Sequence, residues 1–169
     1  MFLCKYKNMT KIPVGILMYD IDNTVTCGDT ECSKFKIDAM KKSIQYCKQN
    51  NVLVMVNTAR PEQHDNLHSI PSKIKRMLNN VKVYTRKENS DKSIPEDKYS
   101  KMLDAQRKFV AKYRKSLPLS KIAIVDDRKD TCDFCARKGA ASVYVRDENG
   151  LTYMEMNLIK QFVDFCSKN

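Results

Sequence analysis

The sequence lacks any apolar run long enough to cross a membrane. A membrane-spanning helix needs about 20 consecutive apolar residues, and no stretch of this 169-residue chain approaches that length. The opening residues, MFLCKYKNMTK, also lack the apolar core of a signal peptide. We therefore expect an intracellular protein, cytoplasmic or nuclear and not secreted, that has no membrane partner.

Acidic residues are in the minority. The chain has 31 lysines and arginines against 20 aspartates and glutamates, which gives a formal net charge of +11. The basic residues are spread along the whole sequence rather than collected in one tail. A field of this sign attracts polyanions such as nucleic acid, although a lysine-rich solvated surface would give the same composition.

Internal repeats and low-complexity segments are also missing from the sequence. The length predicts a single domain over residues 1–169, which is large enough to bury a hydrophobic core. The seven cysteines are an odd number. A domain of this size needs no disulfide to fold, so we expect reduced thiols.

Five short apolar segments lie at wide intervals along the chain. Each is nearly continuous in apolar residues, as strands that are buried on both faces are. They cover residues 13–19, 52–57, 81–84, 122–125 and 142–145, and patterns of helical period lie at 33–50, 61–79, 95–115, 130–138 and 154–168. This alternation predicts an α/β fold, a three-layer Rossmann-like parallel sheet flanked by helices.

Polar side chains follow three of the predicted strands. The first strand is followed by Asp20 and Asp22, the second by Thr58 and Arg60, and the fourth by Asp126 with Asp127. The carboxyl ends of parallel strands share one edge of the sheet, where α/β proteins bind their ligands. Any one of these residues could simply cap a helix, but a helix cap does not explain why they converge.

Four carboxylates brought to one edge would repel one another and raise some of their pKa values. A bound divalent cation removes this problem because it becomes the largest local charge. Ligands that are all oxygen atoms suit Mg²⁺. The sequence therefore predicts a magnesium site at the carboxyl edge of the sheet.

Three of these segments resemble the motifs of the haloacid dehalogenase (HAD) superfamily. DIDNTV resembles its DxDxT motif, VNTAR resembles the strand that ends in threonine or serine, and IVDDRKD resembles the strand that ends in paired acids. The resemblance spans about residues 12–146. It implies phosphoryl transfer through an aspartyl-phosphate, with Mg²⁺ as the cofactor.

The same resemblance implies roles for the four acids. Asp20 would be the nucleophile, and Asp22 would protonate the leaving oxygen and then activate the hydrolytic water. Mg²⁺ would bind Asp20, the backbone carbonyl of Asp22, and Asp127. Asp126 would act on the metal directly or through a water.

The resemblance also implies residues that bind the substrate phosphate. Thr58 would donate a hydrogen bond to a phosphate oxygen, and the planar guanidinium of Arg60 suits the same group. A lysine near the start of a helix would stabilise phosphate charge. Lys98 is the first choice because it lies in the first turn after a proline, and Lys101 and Lys92 are the substitutes.

Only about 38 residues separate Asp20 from Thr58, which leaves room for one helix and a loop. The fold is therefore predicted to have a minimal cap or none, which gives an open site. An open site suits a phosphate on a macromolecule better than a small sugar phosphate, which needs enclosure.

A narrower resemblance favours a particular macromolecule. The segments YTRKEN, IVDDRKD and ARKG, together with Arg60, are similar to the 3'-phosphatase domain of phage polynucleotide kinase/phosphatases. This resemblance implies that nucleic-acid 3' ends are the phosphorylated substrate. Asn23 stands where a glycine is usual, and TVTCGDTEC lacks the expected basic residue. The alternative is a HAD phosphatase that acts on nucleotides, phosphoproteins or other small phosphomonoesters.

Two other classes of protein fit less well. A receiver domain would carry its phosphoacceptor aspartate at the end of the third strand, where this chain has Val83, Tyr84 and Thr85. A non-catalytic relative would normally have lost Asp20 or Asp22. Two patterns that resemble metal or redox motifs, HDNLH at residues 64–68 and CDFC at 132–135, are expected to be ordinary helix residues.

Overall fold

The structure, a computed structural model, describes residues 11–27, 31–61, 70–146 and 150–168. These residues form five strands that alternate with helices, as the apolar segments predicted. The strands are β1 (Gly15–Tyr19), β2 (Val52–Pro61), β3 (Val83–Arg86), β4 (Ile122–Asp126) and β5 (Ala141–Tyr144). The α-helices are α1 (Lys34–Gln49), α2 (Ser72–Met77), α3 (Ile94–Tyr113), α4 (Lys129–Arg137) and α5 (Tyr153–Lys168).

The strands form one parallel sheet in the order β3-β2-β1-β4-β5. Successive side chains of a strand point to opposite faces of the sheet. Leu17 of β1 therefore packs in one core cluster with residues of α1 and α5, whereas Met18 packs in a second cluster with residues of α3 and α4. The predicted α/β fold with helices on both faces of a parallel sheet is confirmed.

The described strands all belong to this one sheet. Within the described ranges, therefore, no second sheet covers the carboxyl edge as a cap would. Within the same ranges, no helix is both long and apolar enough to cross a membrane. Within the pattern of helical period at 61–79, the part with His64 and His68 lies outside the described residues.

Helix α3 starts where its sequence predicts. Ser93 caps the helix, and its hydroxyl and the carboxylate of Glu96 form a reciprocal capping box, with Pro95 in the first turn. Arg86, at the end of β3, donates a hydrogen bond of 2.7 Å to the carbonyl of Lys92. These contacts fix the first turns of α3, which carry Lys98.

Two residues expected on the apolar sides of helices are exposed instead. Phe35 in the first turn of α1 is 74% exposed, and Val110 near the end of α3 is 41% exposed. The helical period predicts which side of a helix faces the core, but not where along its length the helix meets the sheet. In α1, full burial begins only at Ala39.

The expectation of reduced thiols is wrong for one pair. Cys27 and Cys32 form a disulfide, because the turn after β1 brings their Cα atoms to 5.2 Å, a separation that a disulfide spans. The other described cysteines are buried free thiols: Cys47, Cys132, Cys135 and Cys166. The CxxC pair of Cys132 and Cys135 lies within α4, and burial raises the pKa of the Cys135 thiol to about 11.

Candidate functional site

Three carboxylates meet at the carboxyl edge of the two central strands. Asp20 directly follows β1, and its N–H donates a hydrogen bond of 2.9 Å to the carbonyl of Val125 on β4. Asp126 ends β4, and Asp127 is the next residue. One carboxylate oxygen from each of the three acids lies within 4.8 Å of the others. Asp20 and Asp126 are buried, and Asp127 is half-buried.

The ammonium of Lys98 lies between two of these acids. Its Nζ is 2.6 Å from Asp126 Oδ2 and 2.9 Å from Asp20 Oδ1. The side chain of Lys98 is fully buried. The side-chain amide of Asn57, also buried, donates a hydrogen bond of 3.0 Å to the Lys98 carbonyl and so connects this turn of α3 to β2.

Burial governs the electrostatics of this cluster. It raises the pKa of Asp20 to about 7, and the positive charge of Lys98 only partly opposes this shift. Burial likewise raises the pKa of Asp126, against the same opposing charge. Burial works against the charge of Lys98 too, but the two carboxylates outweigh it and its pKa is raised. The cluster sets three carboxylates against one buried lysine, so it can accept further positive charge when all three are ionised.

The cluster has the chemistry of a divalent cation site. Asp20 Oδ1 is buried, and the Lys98 ammonium lies 2.9 Å from it. Three carboxylates offer oxygen ligands alone, which is the donor set that Mg²⁺ takes. An added cation would balance the remaining negative charge. The residues present therefore fit Mg²⁺.

The turn after β1 explains the residue that replaces the usual glycine. Asn23 has a φ of 52°, in the left-handed region that asparagine tolerates better than most residues. Its side-chain amide donates a hydrogen bond of 3.1 Å to Asp127 Oδ2. The N–H groups of Val25 and Thr26 both donate to the Ile21 carbonyl and close the turn. Asn23 thus supplies the required backbone conformation and also orients Asp127.

Asp22 lies in a very different environment from Asp20. Its side chain is 51% exposed and forms an ion pair with Arg60. Arg60 Nε lies 3.1 Å from Asp22 Oδ1 and 3.2 Å from Oδ2, and its Nη2 also contacts Asp22 Oδ1. The two neighbouring acids are therefore separated into a buried carboxylate and a solvent-facing one that an arginine holds.

The other predicted phosphate ligands take distinct positions. Thr58 is buried at the end region of β2, where its hydroxyl accepts a hydrogen bond of 3.2 Å from the Arg60 N–H. Lys101 donates to the Thr58 carbonyl at 3.2 Å and pairs with Asp97 at 2.6 Å, and Lys92 is exposed. Of the three candidate lysines, only Lys98 reaches the site carboxylates in the described contacts.

Two further residues shape the site, and for the first of them, Asn57, the sequence predicted no role. Asn57 lies inside the VNTAR segment, where a polar residue at the end of a buried strand was the available signal. Arg128 follows the paired acids, and its N–H donates a hydrogen bond of 2.9 Å to Asp126 Oδ1. Both residues position another side chain through a backbone group, and a motif based on side-chain chemistry does not reveal that.

Comparison with known proteins supports the fold and not the reaction. No family model matches the chain, and no curated protein matches its sequence significantly. An uncharacterized protein from Corynebacterium glutamicum has a similar structure, with a TM-score of 0.58 at 15% identity, over 89% of this chain and 96% of that one. The HAD domain of the effector Lem4 from Legionella pneumophila aligns over 91% of this chain and 96% of that domain, at 17% identity. Its TM-score of 0.47 is too low to carry an argument.

Proposed function

We propose that the protein is a Mg²⁺-dependent phosphomonoesterase of the HAD type that works through an aspartyl-phosphate on Asp20. The observation that supports this most is the cluster of Asp20, Asp126 and Asp127 around the buried Lys98. It lies at the carboxyl edge of a parallel sheet, where such folds bind ligands. A purely structural role would not explain why three carboxylates converge at that edge.

The two acids after β1 lie in different environments, and we assign them different roles. In the first step, an Asp20 carboxylate oxygen attacks phosphorus, the bond to the ester oxygen breaks, and Asp22 gives that oxygen a proton. In the second step, Asp22 takes a proton from water as the water oxygen attacks phosphorus. The bond between phosphorus and Asp20 then breaks, and inorganic phosphate leaves.

Several residues would bind the phosphate and the metal. Thr58 and Lys98 would contact phosphate oxygens in the buried part of the site, and Arg60 would do so from the rim beside Asp22. Asp20, Asp126 and Asp127 would hold Mg²⁺, together with the backbone carbonyl of Asp22. The bound ion would supply positive charge that stabilises the transferring phosphoryl group.

For the substrate, we propose nucleic-acid 3' ends. The net charge of +11 supports a polyanionic substrate. A cavity of about 390 Å³ on the surface gives further support, because it combines aromatic and basic side chains. Phe35 and Tyr153 line it, 74% and 39% exposed. Three lysines and one acid also line it, namely Lys34, Lys41, Lys73 and Asp38, and the acid accepts a hydrogen bond from the Tyr153 hydroxyl. Exposed rings that stack on bases and lysines that meet phosphates are the means by which proteins bind single strands.

The position of this cavity also suits a strand that leads to the site. Phe35 lies at the start of α1, Lys73 at the start of α2, and Tyr153 at the start of α5. Each of these helices begins after a strand has ended, so their first turns lie toward the carboxyl edge that carries Asp20. A nucleic-acid strand that stacks on Phe35 could therefore extend toward the acidic cluster.

The test is a side-by-side comparison of substrates with Mg²⁺ present. We expect a 3'-phosphorylated oligonucleotide to have a higher kcat/KM than a 3'-mononucleotide or a phosphopeptide, and to lose that advantage as salt rises. If the mononucleotide or the phosphopeptide is the better substrate, the nucleic-acid assignment is wrong and the alternative phosphatase stands. If no phosphomonoester is hydrolysed, the proposed activity itself is wrong.

A further inference from the structure

One part of the sheet has an open edge, far from the acidic cluster. Strand β2 has ten residues and its outer neighbour β3 has only four. The two strands pair from Val56 and Val83 onward, whereas β1 pairs with β2 from Val52 onward. Among the described residues, the stretch 52–55 of β2 therefore has a partner strand on one side only. It lies at the amino end of the strand, opposite to the edge that carries Asp20.

The backbone of this stretch offers hydrogen-bonding groups to the open side. The Val56 N–H donates to the Lys82 carbonyl on the β3 side. The Asn51 carbonyl accepts from the Val14 N–H on the β1 side. Backbone groups alternate sides along a strand, so the N–H and C=O of Val52 and Val54 point to the side where β3 is missing. A strand edge that lacks a neighbouring strand is a template for another strand.

A groove lies along this open edge. It has a volume of about 570 Å³ and is lined by the edge from Val52 to Met55, by Ala105 and Phe109 of α3, and by the segment before β3. At about 3.3 Å per residue, the open edge can pair with roughly four residues of an extended chain. The apolar side chains of α3 can pack against the side chains on one face of such a segment.

The charged side chains at the rim of the groove favour one kind of ligand. Four lysines line it, and all are exposed: Lys48, Lys82, Lys108 and Lys112. No acidic side chain lines the groove among the described residues, although Lys108 also pairs with Asp104 on its own helix. A second copy of this chain, itself at +11, would meet electrostatic repulsion there. The charge of the rim is complementary to an acidic segment.

We infer that this groove binds an extended acidic segment of a partner protein, which adds a strand beside β2. Main-chain hydrogen bonds to Val52 and Val54 would give the affinity, and the lysine rim would give the preference for acidic sequences. The segment would lie in line with β3, in the place that a longer β3 would occupy. This interaction surface is separate from the acidic cluster and does not depend on the proposed phosphatase activity.

The experiment uses a fluorescent synthetic peptide of alternating glutamate and valine. We expect saturable binding to the full-length protein, together with slower hydrogen exchange of the Val54 amide. The same peptide with its central amides N-methylated keeps its charge but cannot donate to a strand, so its binding should be lost. Equal binding of the N-methylated peptide would show that the peptide binds only through its charge, and this would overturn the inference.

Matched charge reversals locate the binding surface. Lys108→Glu with Lys112→Glu, both on the groove wall, should weaken binding by about tenfold or more. Lys138→Glu with Lys168→Glu, which changes the net charge equally on exposed positions away from the groove, should leave binding nearly unchanged. Equal loss in both pairs contradicts the inference. A second measurement does not depend on whether the groove variant folds. If the peptide leaves the hydrogen-exchange rate of the Val54 amide in the wild-type protein unchanged, the inference is contradicted.

Discussion

Lys98 and Asp126 form an ion pair in which both side chains are fully buried, with 2.6 Å between Nζ and Oδ2. The same ammonium lies 2.9 Å from the buried carboxylate of Asp20. One lysine thus serves two acids that come from different strands. Replacing any one of these three residues leaves buried charge without its partner. The same residues therefore affect both the stability of the fold and the chemistry that we propose.

Replacing Lys98 by methionine should destabilise the protein in a pH-dependent way. The side-chain volume is nearly kept, but two buried carboxylates lose their cation, which costs about 3 to 5 kcal/mol when a buried pair is broken. Protonation of the carboxylates relieves the loss, so the variant should be less destabilised at pH 5 than at pH 8. Urea unfolding in EDTA measures this, and the exposed Lys92→Met is the control that should change little.

The metal-free protein should lose stability as pH rises, because burial holds the pKa of Asp20 at about 7 in the folded state, above its ordinary value. A group whose folded pKa is raised contributes stability below its unfolded pKa and loses that contribution through its folded pKa. Relative to Asp20→Asn, the wild-type protein should therefore become less stable between about pH 4 and pH 7.

Mg²⁺ should reverse this loss, since it favours the charged carboxylates. Its stabilising effect on the wild-type protein should be larger at pH 8 than at pH 5, and it should be small in Asp20→Asn. Thermal unfolding with and without the ion gives both comparisons. A gain from Mg²⁺ that is the same at both pH values would contradict the assignment of these acids as ligands.

Asp22→Asn should separate the two steps of the proposed reaction. An aryl phosphate has a good leaving group and needs little protonation, so the first step should survive and release a burst of about one phenol per enzyme. Steady turnover should fall by about 10² to 10⁴, because the water is no longer activated. Stopped-flow measurement of phenol release tests this, and unchanged steady turnover would exclude the acid–base role.

Phe35→Ala should weaken the binding of oligonucleotide substrates but not the hydrolysis of small ones. Loss of one stacking ring costs about 1 to 3 kcal/mol for each base that it contacts, so KM for a 3'-phosphorylated oligonucleotide should rise by about tenfold. Turnover of a small aryl phosphate and the melting temperature should stay the same, since Phe35 is 74% exposed. Phe165→Ala, at the far end of α5, is the matched control. A similar rise of KM in both variants would show that the surface around Phe35 has no specific role in substrate binding.

The sequence was sufficient to predict where the acidic cluster would form. Nearly continuous apolar runs define the strands, and a parallel sheet brings every strand end to one edge, so the proximity of Asp20 to Asp126 follows from topology alone. The start of α3 was equally predictable, because Ser93, Pro95 and Glu96 are local signals. That start in turn brings Lys98 to the two carboxylates.

Other features depend on distances that no local pattern encodes. The exposure of Phe35 depends on where α1 meets the sheet, and the pairing of Cys27 with Cys32 depends on the separation of their Cα atoms in the folded chain. Asn57 contributes through the carbonyl of a residue 41 positions later. The groove beside β2 exists because β3 is short, and it is bounded by residues from three separate parts of the chain.

The central claim is that Asp20 attacks phosphorus, and Asp20→Asn tests it most directly. The asparagine is nearly isosteric but a far weaker nucleophile, and Asp133→Asn, an exposed acid on α4, is the matched control. With Mg²⁺ and an aryl phosphate, we predict that Asp20→Asn folds but forms no phosphoenzyme and shows no turnover above background, while the control keeps full activity. Undiminished, Mg²⁺-dependent hydrolysis by a folded Asp20→Asn would contradict the account.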